Sequence, residues 1–151
     1  MSDKPKFEMP DEEYGGDVSA VDAWQLLSDD PAAVLVDVRT KVEHQLIGKP
    51  VLDSLSKEPI YVEWVTMDGV NPDFVAEVEA ALESAGVAKD APVIFMCQSG
   101  GRSKIAAMQL AKQGFSRSLN LADGFEGALD EKQHRNSVDG WKVADLPWQQ
   151  T

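Results

Sequence analysis

Short apolar runs alternate along this chain with stretches of helical period, and the alternation predicts strands and helices in turn. Residues 33–38 are rich in valine and read as a parallel strand. Val93–Met96 is a continuous apolar run behind Pro92, the pattern of a central strand covered on both faces. Ser118–Leu121 reads as the last strand of the same sheet, paired beside that run. A further strand is predicted over residues 59–65, with Trp64 directed to the core. Between these lie helices. Ser19 is placed to cap the first, Asp22 stands at the capping-box distance, Trp24 and Leu27 share its inward face, and Asp29-Asp30-Pro31 ends it. Asn71 and Pro72 suit the N-cap and first position of the next, with Val75, Val78 and Leu82 as its buried stripe, Phe74 and Ala81 beside them, and Gly86 closing it. Residues 103–113 predict a third helix, with Ile105, Met108 and Ala111 on one face, Ala107 and Leu110 beside them, and Gly114 as its left-handed terminator. Residues 40–57 give no clear period. The sum is an α/β domain with a mostly parallel, helix-covered sheet.

Composition narrows this to one domain. The chain has 151 residues, enough for a single sizeable core. Residues 1–17 are rich in charge, proline and glycine and are expected to form a flexible arm, which leaves residues 18–151 for the domain. Fourteen basic against 26 acidic residues give a net charge of -12, which repels nucleic acid and anionic membrane surfaces. The apolar runs fall far short of the roughly twenty residues that cross a bilayer, and the N-terminal residues carry no signal core. A cytoplasmic location is therefore expected. A single cysteine makes no intrachain disulfide, which fits a reducing compartment. His44 and His134 lie far apart with no metal-ligand spacing to that cysteine, and both are expected on surface or loop positions.

The candidate chemistry lies where the Val93–Met96 run ends. Cys97 is followed by Gln98, Ser99, Gly100, Gly101, Arg102 and Ser103, a short polar loop opening directly into a helix. Glycine takes the positive φ that turns successive amides toward one point. That point is predicted to be the Cys97 sulfur, where converging amides and the positive end of the helix dipole favour the thiolate. A buried cysteine that merely ends a strand needs no glycine pair, no arginine and no helix start behind it. Asp37 and Arg39 stand at the C-terminal end of their strand, the edge where open α/β sheets bind ligands, and are expected as supporting residues on the same rim.

Cys97-x4-Arg102-Ser103 after an apolar strand resembles the active-site loop of the rhodanese sulfurtransferase family. Val34-Leu35-Val36-Asp37-Val38-Arg39 with Glu43 is similar to that family's first-strand signature, Asn120-Leu121-Ala122-Asp123-Gly124-Phe125 with Gly127 to its last-strand segment, and Gly140-Trp141 and Leu146-Pro147-Trp148 to its ending. The family's histidine-containing segment is absent, Ile47-Gly48-Lys49-Pro50-Val51-Leu52 standing in its place. The resemblance implies a three-layer domain and a sulfurtransferase. Cys97 would carry a persulfide and residues 98–103 would bind the donor sulfur. No cofactor and no metal are implied, and the partners are a small sulfur donor and a thiol, cyanide or protein acceptor. Arg102 has two possible jobs, reaching the anionic donor or pinning the loop through a carboxylate such as Asp37. Gln98 is neutral where close relatives are often basic, which weakens attraction for thiosulfate. The rival enzyme reading is a phosphatase or arsenate reductase on the same fold, but the four residues between Cys97 and Arg102 make a loop shorter than theirs. A third reading is a non-catalytic docking module. The sequence leaves oligomeric state open.

Overall fold

In the computed structural model, which describes residues 14–150, the valine-rich run becomes a central strand, β2 (Val34–Asp37). It lies between β7 (Val93–Met96) and β4 (Ile60–Tyr61) and is parallel to both. Beyond β7 come β8 (Ser118–Leu121) and then β1 (Gly16–Val18), so the five-stranded sheet runs β1-β8-β7-β2-β4 with every pairing parallel. Parallel neighbours need crossovers, and helices supply them. These are α1 (Ala20–Asp29), α2 (Lys41–Ile47), α3 (Phe74–Ser84) and α4 (Gly101–Lys112). Two small antiparallel ladders join β3 (Lys49–Pro50) to β9 (Trp148–Gln149) and β5 (Val65–Thr66) to β6 (Gly69–Val70). No helix among the described residues is long and apolar enough to cross a membrane.

Alternation along β2 and β7 divides the core into two layers. Val36, Val38, Phe95 and Cys97 pack with Phe74, Val78 and Leu82 of α3 and with Ala106, Ala107 and Leu110 of α4. Leu35, Ile94 and Met96 face the other way, onto Ala20, Ala23 and Leu27 of α1 and onto Phe125 and Trp141. Each such fully buried large side chain contributes about 1.5–3 kcal/mol of transfer free energy. The result is the helix–sheet–helix arrangement expected, with Cys97 on the α3/α4 side.

Several local expectations shift. Residues 1–13 of the expected arm lie outside the described residues, but its end is no arm: Gly16 and Asp17 pair with Leu119 and Asn120 as the edge strand β1. Charge and glycine made them look unpairable, yet an edge strand needs partners on one side only. α3 starts at Phe74, because the Asn71 carboxamide oxygen accepts from the Asp73 amide (3.0 Å) and closes an Asx turn ahead of the helix. α4 starts at Gly101, and its buried face is Ser103, Ala106, Ala107 and Leu110 with Met108; Ile105 and Ala111 are only half-buried. The helix is rotated so that Ser103 points inward. Trp64 is likewise half-buried, against the Cys97 layer. His44 is buried on α2, contrary to the surface position expected, whereas His134 is exposed.

Lys57 locks α1 to β2. Its ammonium donates to the carbonyls of Leu27 (2.8 Å), Asp30 (2.8 Å) and Ala33 (2.7 Å), filling the negative end of α1 with a cation. A Lys57→Met variant keeps the stem and strips these donors, so it is expected to lose about 1–2 kcal/mol in urea denaturation. No change from wild type would show that water serves these carbonyls equally well.

Candidate functional site

The sulfur of Cys97 sits where β7 gives way to α4, and only 2% of the residue is exposed. Two amide nitrogens and one hydroxyl oxygen approach it: the Gly100 nitrogen at 3.1 Å, the Ser103 nitrogen at 3.4 Å and Ser103 Oγ at 3.3 Å. The loop was expected to present a ring of amides from Gln98 to Ser103; two of them point at the sulfur. Gly100 is the residue that makes this turn. Its φ is +99°, and a Cβ there would collide with the Ala122 carbonyl oxygen.

The other loop residues are held from outside. Gln98 turns away, its amide Nε2 donating to Glu126 Oε1 at 2.9 Å while its carbonyl accepts from the amides of Glu126 (3.0 Å) and Gly127 (3.2 Å). The Phe125 amide donates to the Cys97 carbonyl (2.8 Å), which sets the segment after β8 against the loop. Gly124 permits that approach: its φ is +72°, and a Cβ would overlap the Gln98 carbonyl. Ser99 is exposed at the loop tip, and Gly101 is exposed at the start of α4.

Arg102 pins the loop, and through Glu43. Its two terminal nitrogens meet Glu43 Oε1 and Oε2 at 3.0 and 2.9 Å, a bidentate pair with the side chains 25% and 18% exposed. Glu43 also completes the capping box of α2, accepting from the Thr40 amide (3.0 Å) while Thr40 Oγ1 accepts from the Glu43 amide (3.2 Å). Burial pushes the Glu43 carboxyl up, but the guanidinium and the Thr40 amide outweigh it and hold it below the ordinary value. The hydrogen bond to Glu43 in turn makes Arg102 hold its proton more tightly.

Asp37, one carboxylate considered as an anchor for Arg102, is taken by Arg39. Arg39 Nε and Nη2 reach its two oxygens at 3.0 and 2.8 Å, Nη2 also donates to the Gly48 carbonyl (2.9 Å), and the guanidinium lies 4.2 Å above the Phe125 ring. Both residues are fully buried. They share the rim with Cys97 but point to the α1 side of the sheet. His44 Nε2 comes within 3.3 Å of Asp37 Oδ2, though out of line for a well-formed hydrogen bond. Burial raises the Asp37 carboxyl, and the approach of His44 and the paired guanidinium of Arg39 more than reverse this, leaving it below its ordinary value.

Sequence reasoning missed the side chains that brace the loop. The Thr40-x-x-Glu43 spacing was a legible cap signal; Glu126 carried none. Asn120, a buried amide between two leucines, was the other signal, since such a group must be bonded. It accepts from Ser103 Oγ (2.6 Å) and donates to Asp17 Oδ1 (3.0 Å). Cavity volume does not find the site. A surface cavity of about 710 Å³ lies by Asp53, Lys57, Glu58 and Pro59, and neither Cys97 nor any residue of its loop lines it.

The comparisons with known proteins bear on the fold and the family. A family model described as STR4 middle domain matches residues 15–151. An uncharacterized protein of Rickettsia conorii is 34% identical over 132 residues, covering 87% of this chain and 95% of its own. The chloroplastic rhodanese-like domain-containing protein 4 of Arabidopsis thaliana is 24% identical over 86% of this chain but only 25% of its own length. Among solved structures, the crystal structure of Rv0390 from M. tuberculosis has a TM-score of 0.79 and 44% identity, covering 91% of this chain and 99% of that one. The polysulfide-sulfur transferase homodimer of Wolinella succinogenes has a TM-score of 0.56 and 23% identity over 89% of this chain and 78% of that one, a likeness of fold.

Proposed function

This chain belongs to the STR4 middle-domain family, a rhodanese-like fold, and from that premise we propose that it is a sulfurtransferase working through a persulfide on Cys97. The observation that carries the reading is the placement of the sulfur within hydrogen-bond reach of the Gly100 and Ser103 amides at the start of α4. Fixed donors of this kind stabilise negative charge without reorganising as it develops. The Cys97 thiolate attacks the outer sulfur of a donor. A bond forms between the two sulfurs as the donor's own S–S bond breaks, and the departing thiolate or sulfite takes that electron pair. A second nucleophile, cyanide or a thiolate, then attacks the outer sulfur, and Cys97 leaves as thiolate. No oxidant is consumed. Sulfur transfer is also what the Wolinella protein of this fold is named for.

The donor is a sulfane-sulfur compound. Gln98 is neutral and Arg102 is already paired with Glu43, so the loop holds no uncommitted cation for a dianion. Mixing the protein with an organic persulfide, polysulfide or thiosulfate and weighing it intact is the test. One added sulfur on Cys97, discharged by cyanide or a dithiol, is the expected result, with thiosulfate the slowest donor. Absence of added sulfur with every donor would overturn the proposal, and turnover of a phosphoryl ester or arsenate through Cys97 would put the rival enzyme in its place.

Glu43 acts on the loop through Arg102. Glu43→Gln is expected to lower kcat/KM for sulfur discharge about tenfold, the size of one charge-assisted hydrogen bond. Thr40→Ala, which spares the Arg102 pair and removes only the cap, should leave kcat/KM within about twofold. Equal losses in both would assign Glu43 to the helix cap alone.

A further inference from the structure

Cys97 stands at the end of a line of side-chain hydrogen bonds whose direction is fixed at the edge of the sheet. Ser103 Oγ lies 2.6 Å from Asn120 Oδ1 and 3.3 Å from Cys97 Sγ, yet a hydroxyl has one proton to give. Asp17 decides where it goes. Its carboxylate, 3.0 Å from the Asn120 amide, can only accept, so the NH₂ edge of Asn120 must face it and the carbonyl edge must face Ser103. That carbonyl cannot donate. The Ser103 proton therefore lies on the short line to Asn120, and a lone pair of Ser103 faces the sulfur. Ser103 and Asn120 are 0% and 2% exposed, so bulk water does not relieve the conflict.

We infer that Asn120, oriented by Asp17, is a positioning residue that turns the Ser103 hydroxyl proton away from Cys97 and thereby favours the sulfur-loaded protein over the free thiolate. The inference rests on the sulfur-transfer reading. In the free thiolate the negative charge sits on Sγ, where the Ser103 lone pair opposes it and only the amides of Gly100 and Ser103 assist. In the persulfide Sγ is bonded to Cβ and to the outer sulfur and is neutral, the charge having moved outward. The arrangement thus penalises the unloaded state alone, and the Ser103 proton stays on Ser103 throughout.

Asp17→Lys tests this at an exposed position of the edge strand. The introduced ammonium only donates, so Asn120 turns over, its NH₂ edge donates to Ser103 Oγ, and the hydroxyl proton is released toward the sulfur. Iodoacetamide should then alkylate unloaded Cys97 at pH 7 about tenfold faster, the worth of one hydrogen bond to a charged group. The persulfide fraction at equilibrium with thiosulfate and sulfite should fall. Asn120→Ala frees the hydroxyl without adding charge and should act in the same direction. In a Ser103→Ala background both effects should shrink to within about twofold. Unchanged or slower alkylation in both variants would overturn the inference, as would a gain that survives Ser103→Ala or a persulfide fraction that does not fall. Alkylation needs no sulfur donor. If wild type never loads sulfur, the functional reading and the bias fall together, while the alkylation rates still decide which way the hydroxyl points.

Discussion

Cys97→Ser is expected to fold and to transfer no sulfur. The substitution is nearly isosteric, and the Gly100 and Ser103 amides that reach Sγ at 3.1 and 3.4 Å retain an acceptor in the serine oxygen. Stability by chemical denaturation should change by no more than about 1 kcal/mol. The chemistry is another matter. A hydroxyl is not ionised at neutral pH, and a divalent sulfur carrier is what the proposed intermediate requires, so sulfur discharge should drop by a factor on the order of a thousand or more. Intact mass after donor treatment should show no added sulfur. A variant within tenfold of wild type would remove Cys97 from the reaction, and undiminished biological activity alongside lost transfer would favour the docking module.

Asp37→Asn should be the most destabilising of the substitutions considered, and it reaches no reacting atom. It keeps the shape but removes the negative charge that balances Arg39, which is fully buried and holds Nη1 without a hydrogen-bond partner among the described residues. Breaking a buried pair by neutralising one member strands the other charge, at a cost of about 3–5 kcal/mol. The pH dependence carries a sign of its own. The Asp37 carboxyl is held below its ordinary value of 3.8 in the folded protein, so its pairing stabilises fully above that value and is lost as pH falls through the lower folded value. Wild type should therefore lose stability on acidification below about pH 4, and Asp37→Asn should show a smaller acid loss on top of its lower plateau. Glu43, also held low, leaves part of that acid loss in place. A variant as stable as wild type at pH 7 would mean that Arg39 finds other compensation.

Local pattern made much of this protein legible. A run such as Val93–Met96 writes its own burial, because alternation sends Phe95 and Cys97 to one layer and Ile94 and Met96 to the other whatever else the chain does. The glycine pair after Cys97 announced a tight turn for the same reason: φ is a property of one residue. Where two local signals competed, position was lost by a turn or less, as at the start of α3, where Asn71 spends its side chain on an Asx turn. The face of α4 was misjudged because apolar character pointed to Ile105, while Ser103 was drawn inward by the sulfur and Asn120.

By itself, then, the sequence determined the order of β2, β4, β7 and β8 and of the helices α1, α3 and α4, the joint at which Cys97 stands, and the acidic character of the whole, while β1 and α2 were not legible in it. Only the tertiary structure decided which of 26 acidic residues meets Arg102, a partner 59 positions away, and that Asp17 reaches Asn120 across 103 positions. It also buried His44 beside Asp37. The reason is one of range. Hydrophobic period and glycine torsions act within a turn or two of chain, whereas ion pairs and hydrogen-bond direction depend on which loops the closed sheet brings together, and no spacing along the chain encodes that.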